Sequence, residues 1–228
     1  MQNIRRELGL REEEADSLLN FIAMMESDDD LVNDLRRRMR RDHTTIMTSI
    51  KAGIVLMLYN AIESTMTKCL EKLHDIFIQQ ELGFDECTDE IRQLLLAYYE
   101  NAKEKSLDIH KRVPYILELH DYMKGEITFP LSYNQLCQFY SLYSGNLDSR
   151  EIISVLKKYG IDFEEKASEL KTIKDDRNKL AHGELTFEEV GRNLSLPQLR
   201  HMKEKTFRYM ESVIDIMNAF IENEGYRK

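Results

Sequence analysis

Arg177 and His182 stand five residues apart in "KDDRNKLAHGELTF", residues 174–187, and their types could act together on a phosphate ester. An arginine stays charged and can grip phosphate oxygens through two parallel hydrogen bonds. A histidine titrates near neutrality, so it can take a proton from one oxygen and give one to another. Each also has a plainer explanation. An arginine on an apolar stripe is often a salt-bridged structural group, and a histidine near a helix C-terminus complements the helix dipole. Spacing alone leaves both readings open.

The helix that must position them is predicted from about Phe163 to Ala181. Phe163, Ala167, Leu170, Ile173, Arg177 and Leu180 recur at steps of three or four, which puts Arg177 in a core-facing slot. A guanidinium there loses water and needs an acid, a cleft or an interface to meet it. His182 lies roughly 140° around an ideal helix from Arg177. Gly183 predicts a left-handed stop that frees His182 to swing from the helix end. Glu63, beside Ile62 and between Tyr59 and Met66, leans toward the bundle and is the expected partner of Arg177. Asn60, on the same helix, is expected to join that network, although both residues also fit a solvated face. Asn178 and Lys179 lie inside the motif and are expected at the cleft. A lysine in a last helical turn is equally commonplace.

The remaining pattern is helical. Leu18, Leu19, Ile22 and Met25 mark a helix in the first 27 residues, and a long one follows, basic at its start and apolar from Ile54 to Leu73. Helical runs near 88–103 and 107–123 precede an aromatic-rich, less regular stretch. A helix capped by Asp148 or Ser149 runs to Tyr159, and a last one starts near Ser195 with Pro197 in its first turn. Three long helices, at about 45–80, 163–181 and 195–222, are predicted to pack as an antiparallel bundle. Residues 1–44 read as an N-terminal helical extension and about 84–162 as a helical insertion. With 42% hydrophobic and 32% charged residues, 3 Pro and 9 Gly, the chain reads as all-α.

Other features bound the function. The net charge of -9 disfavours indiscriminate coating of nucleic acid, so any RNA must be held locally. Arg36, Arg37, Arg38, Arg40 and Arg41 form the dense basic run that could guide it, although pairing with acids along the helices explains them too. Asp28, Asp29 and Asp30 lack the spacing and glycine of a calcium loop, and His110 and His120 are ten apart, so no metal site or cofactor is implied. Tyr98, Tyr99, Tyr140 and Tyr143 fit packing better than base stacking. Cys69, Cys87 and Cys137 are odd in number and far apart, which suits a reducing cytoplasm. There is no basic-then-apolar leader, and "GIVLMLY" at 53–59 is too short to span a bilayer, so no membrane association is expected.

"RNKLAHG" resembles the R-x4-6-H motif of HEPN domains, the higher eukaryotes and prokaryotes nucleotide-binding helical bundles. "LMLYNAIESTMTKCLEKL" at 56–73 is similar to the acidic helix that faces the motif in such bundles. "SGNLDSREIISVLKKYGI" at 144–161 resembles a segment of the stand-alone bacterial branch of MAE-type HEPN-like nucleases. The resemblance runs from about residue 45 onward and is least over the first 40 residues. It implies a HEPN-like bundle acting as a metal-independent endoribonuclease, with Arg177 and His182 catalytic. It also implies a homodimer whose two motifs face one another, and products ending in a 2′,3′-cyclic phosphate. A toxin or phage-defence role beside a cognate antitoxin or defence partner would follow. The rival implication is a catalytically silent module that holds a nucleotide or a protein.

Overall fold

Caps and apolar stripes set the helix boundaries. Ser195 accepts from the Gln198 amide at 3.4 Å while the Gln198 side chain accepts from the Ser195 amide at 2.9 Å, and this capping box opens the last helix. The computed structural model describes residues 1–27, 29–105, 109–143 and 145–228. Its helices are α1 (Gln2–Met25), α2 (Asp30–Met39), α3 (Arg41–Gln79), α4 (Asp89–Lys105), α5 (Ile109–Met123), α6 (Tyr133–Phe139), α7 (Ser149–Lys158), α8 (Ser168–Ala181), α9 (Phe187–Arg192) and α10 (Leu196–Glu222). The fold is all-α. Among the described residues, the only extended pairing is an isolated antiparallel bridge between Cys87 and Arg227.

Helix α1 buries Ile4, Leu8, Ala15, Leu19, Ile22 and Met25 in the same core as α3 and α10. Its ion pairs give the register. Glu7 meets Lys68 and Glu26 meets Lys51, while Arg5 meets Glu211 and Lys203 meets Glu12. Rising numbers in α1 pair with falling numbers in both neighbours, so α1 is antiparallel to each. Residues 1–44 are therefore not an extension: α1 is a stave of the bundle, and a boundary at 44/45 falls within α3. The expected single long helix is also interrupted, at Arg40, whose φ is +50°. Arg36 and Arg40 would fall at i,i+4 in a continuous helix, where like charges repel.

The described residues between 84 and 162 fold onto the C-terminal half of α3. Leu70, Leu73 and Phe77 share one core with Leu95, Phe129, Leu136, Ile152 and Leu156. Tyr98 and Tyr99 are buried edge to face at 5.0 Å, so they pack as expected. Among the described residues, one segment, Asp42–Gln79 in α3, is long and apolar enough to cross a membrane, but half of its most apolar window is buried in the bundle. The uninterrupted apolar run understated that helix, because polar residues at helical spacing break the run without breaking the stripe.

Short α9, absent from the sequence reading, lies against the start of α3. A Cβ on Gly191 would sit 1.8 Å from the carbonyl oxygen of Thr48, so only a glycine permits this approach. Gly53, in the interior of α3, has nothing within 4 Å of a Cβ. Gly191→Ala is expected to lower unfolding stability by about 3 kcal/mol, and Gly53→Ala to raise it by up to about 1 kcal/mol. Urea denaturation of the two variants checks the contrast, and equal midpoints would refute it.

Candidate active site

Helix α8 ends in a Schellman turn. The Gly183 amide donates to Leu180 O at 3.2 Å and the Glu184 amide to Lys179 O at 2.9 Å, with Gly183 at φ +69°. His182 is the C-cap, its amide bonded to Asn178 O at 2.9 Å, and its side chain is exposed. The left-handed residue is Gly183 alone. His182 itself keeps φ -88° and ψ -2°, so the last turn stays helical up to the C-cap. The helix also begins at Ser168 and not at Phe163, which sits in an irregular lead-in with its ring 5.5 Å from that of Tyr209.

Arg177 does take the inward slot, and an aromatic ring meets it there. Its guanidinium carbon lies 4.3 Å from the centre of the Tyr59 ring, and Nη1 donates to Asn178 Oδ1 at 3.0 Å. Tyr59 is fully buried in α3. Its hydroxyl donates to Gly145 O at 2.5 Å and accepts from the Leu147 amide at 3.3 Å. Burial raises the phenol's pKa, with the Leu147 amide lowering it, the Glu63 charge raising it and Arg177 lowering it. Asn178 completes the frame by donating to Asn146 Oδ1 at 2.7 Å.

The same loop reaches α8 once more. Asp148 caps α7 through the amides of Arg150 and Glu151 and pairs with Lys174 at 2.8 Å. Burial alone would raise its carboxyl pKa, but hydrogen bonds from Lys174, Arg150 and the Glu151 amide hold it at about 2. Residues 145–148 thus bind the floor, the middle and the flank of the motif helix.

The expected Glu63–Arg177 ion pair is not formed among the described residues. Glu63 instead lines an open groove of about 480 Å³ with Arg11, Asn60, Ser64, Thr67, Lys68 and Glu71. Asn60 is exposed at that groove. Lys179 pairs with Asp176 at 3.2 Å, the surface role open to any last-turn lysine. In the basic run, Arg36 donates to Met25 O at 3.0 Å through Nε, satisfying the end of α1, and Arg38 pairs with Asp34 at 2.8 Å. Arg37 and Arg40 are at the surface, and the side chain of Arg41 and residue Asp28 lie outside the described residues.

Sequence reasoning missed Tyr59 as the counterpart of Arg177 and the 145–148 loop as its frame. Tyr59 sits on the α3 stripe where any aromatic reads as core, and a loop contact across 32 residues, Asn146 to Asn178, leaves no periodic trace.

A family model described as MAE_28990-like HEPN matches residues 1–226, α1 included. No curated protein and no solved structure matches the chain. With an inward arginine and an exposed C-cap histidine on one helix of an all-α bundle, and a match over almost its whole length, the chain belongs to the MAE_28990-like HEPN family.

Proposed function

We propose that this protein is a metal-independent endoribonuclease that works as a homodimer. The reading rests on one observation above others: the motif arginine is held on an aromatic floor while the motif histidine is left exposed at the end of the same helix. HEPN families are associated with ribonucleases and RNA-binding modules, some of them inactive.

In this mechanism one His182 takes the proton of a ribose 2′-hydroxyl, and the 2′-oxygen attacks the adjacent phosphorus. A second His182 gives a proton to the departing 5′-oxygen. Arg177 meets the negative charge that gathers on the phosphoryl oxygens. The P–O2′ bond forms as the P–O5′ bond breaks, leaving a 2′,3′-cyclic phosphate and a 5′-hydroxyl. Helix geometry supports the pairing of two chains. Because His182 stays helical, its side chain projects roughly 140° around α8 from Arg177, so one copy does not converge the groups. Two α8 ends facing one another would. In this reading Asn178, beside Arg177, and Asn60, exposed on α3, would contact the RNA, and the surface arginines Arg37 and Arg40 would attract it from farther away. A toxin or phage-defence role, restrained by a cognate partner, is the biological setting this chemistry fits.

Cleavage of an RNA oligonucleotide in excess EDTA, beside a DNA strand of the same sequence, tests the chemistry. The expected result is RNA cut to cyclic-phosphate ends with the DNA intact. Abolition by EDTA, or equal cutting of both strands, would overturn it. The second reading, a silent binding module, is favoured by the net charge of -9 and by a basic run partly spent on Met25 O and Asp34. It predicts RNA or partner binding with no strand scission by the wild type.

A further inference from the structure

We infer that Tyr59 is a positioning residue for the reaction: its ring, anchored through its hydroxyl to residues 145–147, fixes the Arg177 guanidinium for the phosphoryl group. The inference rests on the ribonuclease reading and deepens it at the same site. Tyr59 touches no substrate, because its ring is buried beneath the guanidinium.

Arg177 is only partly buried, and among the described residues no carboxylate forms an ion pair with it. Its placement therefore depends on the 4.3 Å stack on Tyr59 and the 3.0 Å bond to Asn178. A stacked guanidinium keeps its in-plane N–H groups for phosphate, whereas a carboxylate partner would occupy a pair of them. The aromatic floor thus orients the cation without consuming its donors. The ring is itself held. The Gly145 carbonyl and the Leu147 amide grip its hydroxyl from both sides, and Asn146 between them holds Asn178, the other neighbour of Arg177. One three-residue segment of the middle region therefore secures both supports of the arginine.

Tyr59→Phe keeps the ring and loses the hydroxyl contacts; Tyr59→Leu removes the ring. Two measurements on the full-length protein separate positioning from folding. The first is the proton resonance of the Arg177 Nε–H, which the ring should shift upfield in wild type and Tyr59→Phe but not in Tyr59→Leu. The second is single-turnover cleavage of an RNA oligonucleotide. Tyr59→Leu is expected to lower the maximal single-turnover rate by about 100-fold, the scale of a small misplacement in an active site, with the half-saturating enzyme concentration little changed. Tyr59→Phe, which keeps the ring but loses its anchor, should cleave at a rate between those of Tyr59→Leu and wild type. In an Arg177→Ala background the Tyr59→Leu loss should vanish, because the two changes remove one device.

Cleavage by Tyr59→Leu at the wild-type rate would overturn the inference, as would a full Tyr59→Leu loss that persists in the Arg177→Ala background. A Tyr59→Leu protein that fails to fold leaves Tyr59→Phe and the wild-type resonance to decide. An Nε–H at its solvent position in both would equally overturn it. Failure of the wild type to cleave RNA would instead sink the ribonuclease reading, and the resonance distinguishes that outcome by reporting the stack in protein that cuts nothing.

Discussion

His182→Ala is expected to lower the single-turnover rate of RNA cleavage by about 10²–10⁴-fold, the contribution of a positioned acid–base group, with no loss of thermal stability. The two halves of the expectation have separate causes. The ring is exposed, and among the described residues it makes no hydrogen bond or ion pair, so removing it takes nothing from the core. The α8 terminus is secured by backbone bonds and Gly183, which the substitution leaves in place. In a composite site both copies lose their proton carrier at once, so little residual activity should survive. Arg177→Lys makes the complementary case. It keeps the charge but loses the planar fork and the ring stack, so its rate should stay far below wild type. Melting temperature and single-turnover rates, read on the same preparations, check both. A His182→Ala enzyme that cleaves as fast as wild type would remove the histidine from the mechanism.

The bundle was legible in the sequence because apolar residues at helical spacing report burial regardless of what they bury against. That is why α3, α8 and α10 can be read in outline, and why Asp148 and Ser195 mark real helix starts. Partners are another matter. The stripe of α1 is as regular as the others, yet nothing in it names α3 and α10 as its neighbours. The same limit governs the site. Arg177 was recognisable as an inward cation, but a desolvated guanidinium can be satisfied by an acid or by a π face, and periodicity does not distinguish them. Glu63 offered the obvious charge, whereas the nearer group proved to be Tyr59, four residues earlier. The 145–148 loop lay hidden because its role comes from three long-range hydrogen bonds and an ion pair, not from composition.

Acid should begin to weaken this fold above the ordinary carboxylate range, through His74. That ring is fully buried in α3 among Phe77, Phe129, Tyr133 and Tyr159, with ring centres 5.6–5.8 Å away. Leu131 O, 2.8 Å from Nδ1, can only accept, so Nδ1 carries the proton and Nε2 accepts from the Tyr159 hydroxyl at 2.8 Å. The neutral ring is fully satisfied. A second proton would place an unpaired charge in an apolar cage, and this burial lowers the pKa from its ordinary 6.5 to about 4, against a raising contribution from the Leu131 carbonyl. Above pH 6.5 folded and unfolded chains both hold a neutral imidazole, and the full stability is present. As pH falls from 6.5 toward 4 the unfolded chain takes a proton that the folded one refuses, so stability is lost across that window. The difference corresponds to about 3 kcal/mol. Asp148, held at about 2, exerts its effect at lower pH and does not confuse the assignment. Urea midpoints from pH 7.5 to 4.5 should fall steeply for wild type and much less for His74→Gln, which keeps a donor and an acceptor but cannot be charged. Parallel curves for the two proteins would show that His74 is not the group responsible. Because His74 joins α3 to the segment that leads into α6 and to the end of α7, the first structure to loosen should be the middle region. Its 145–148 loop frames Arg177, so cleavage should decline with pH before the bundle itself unfolds.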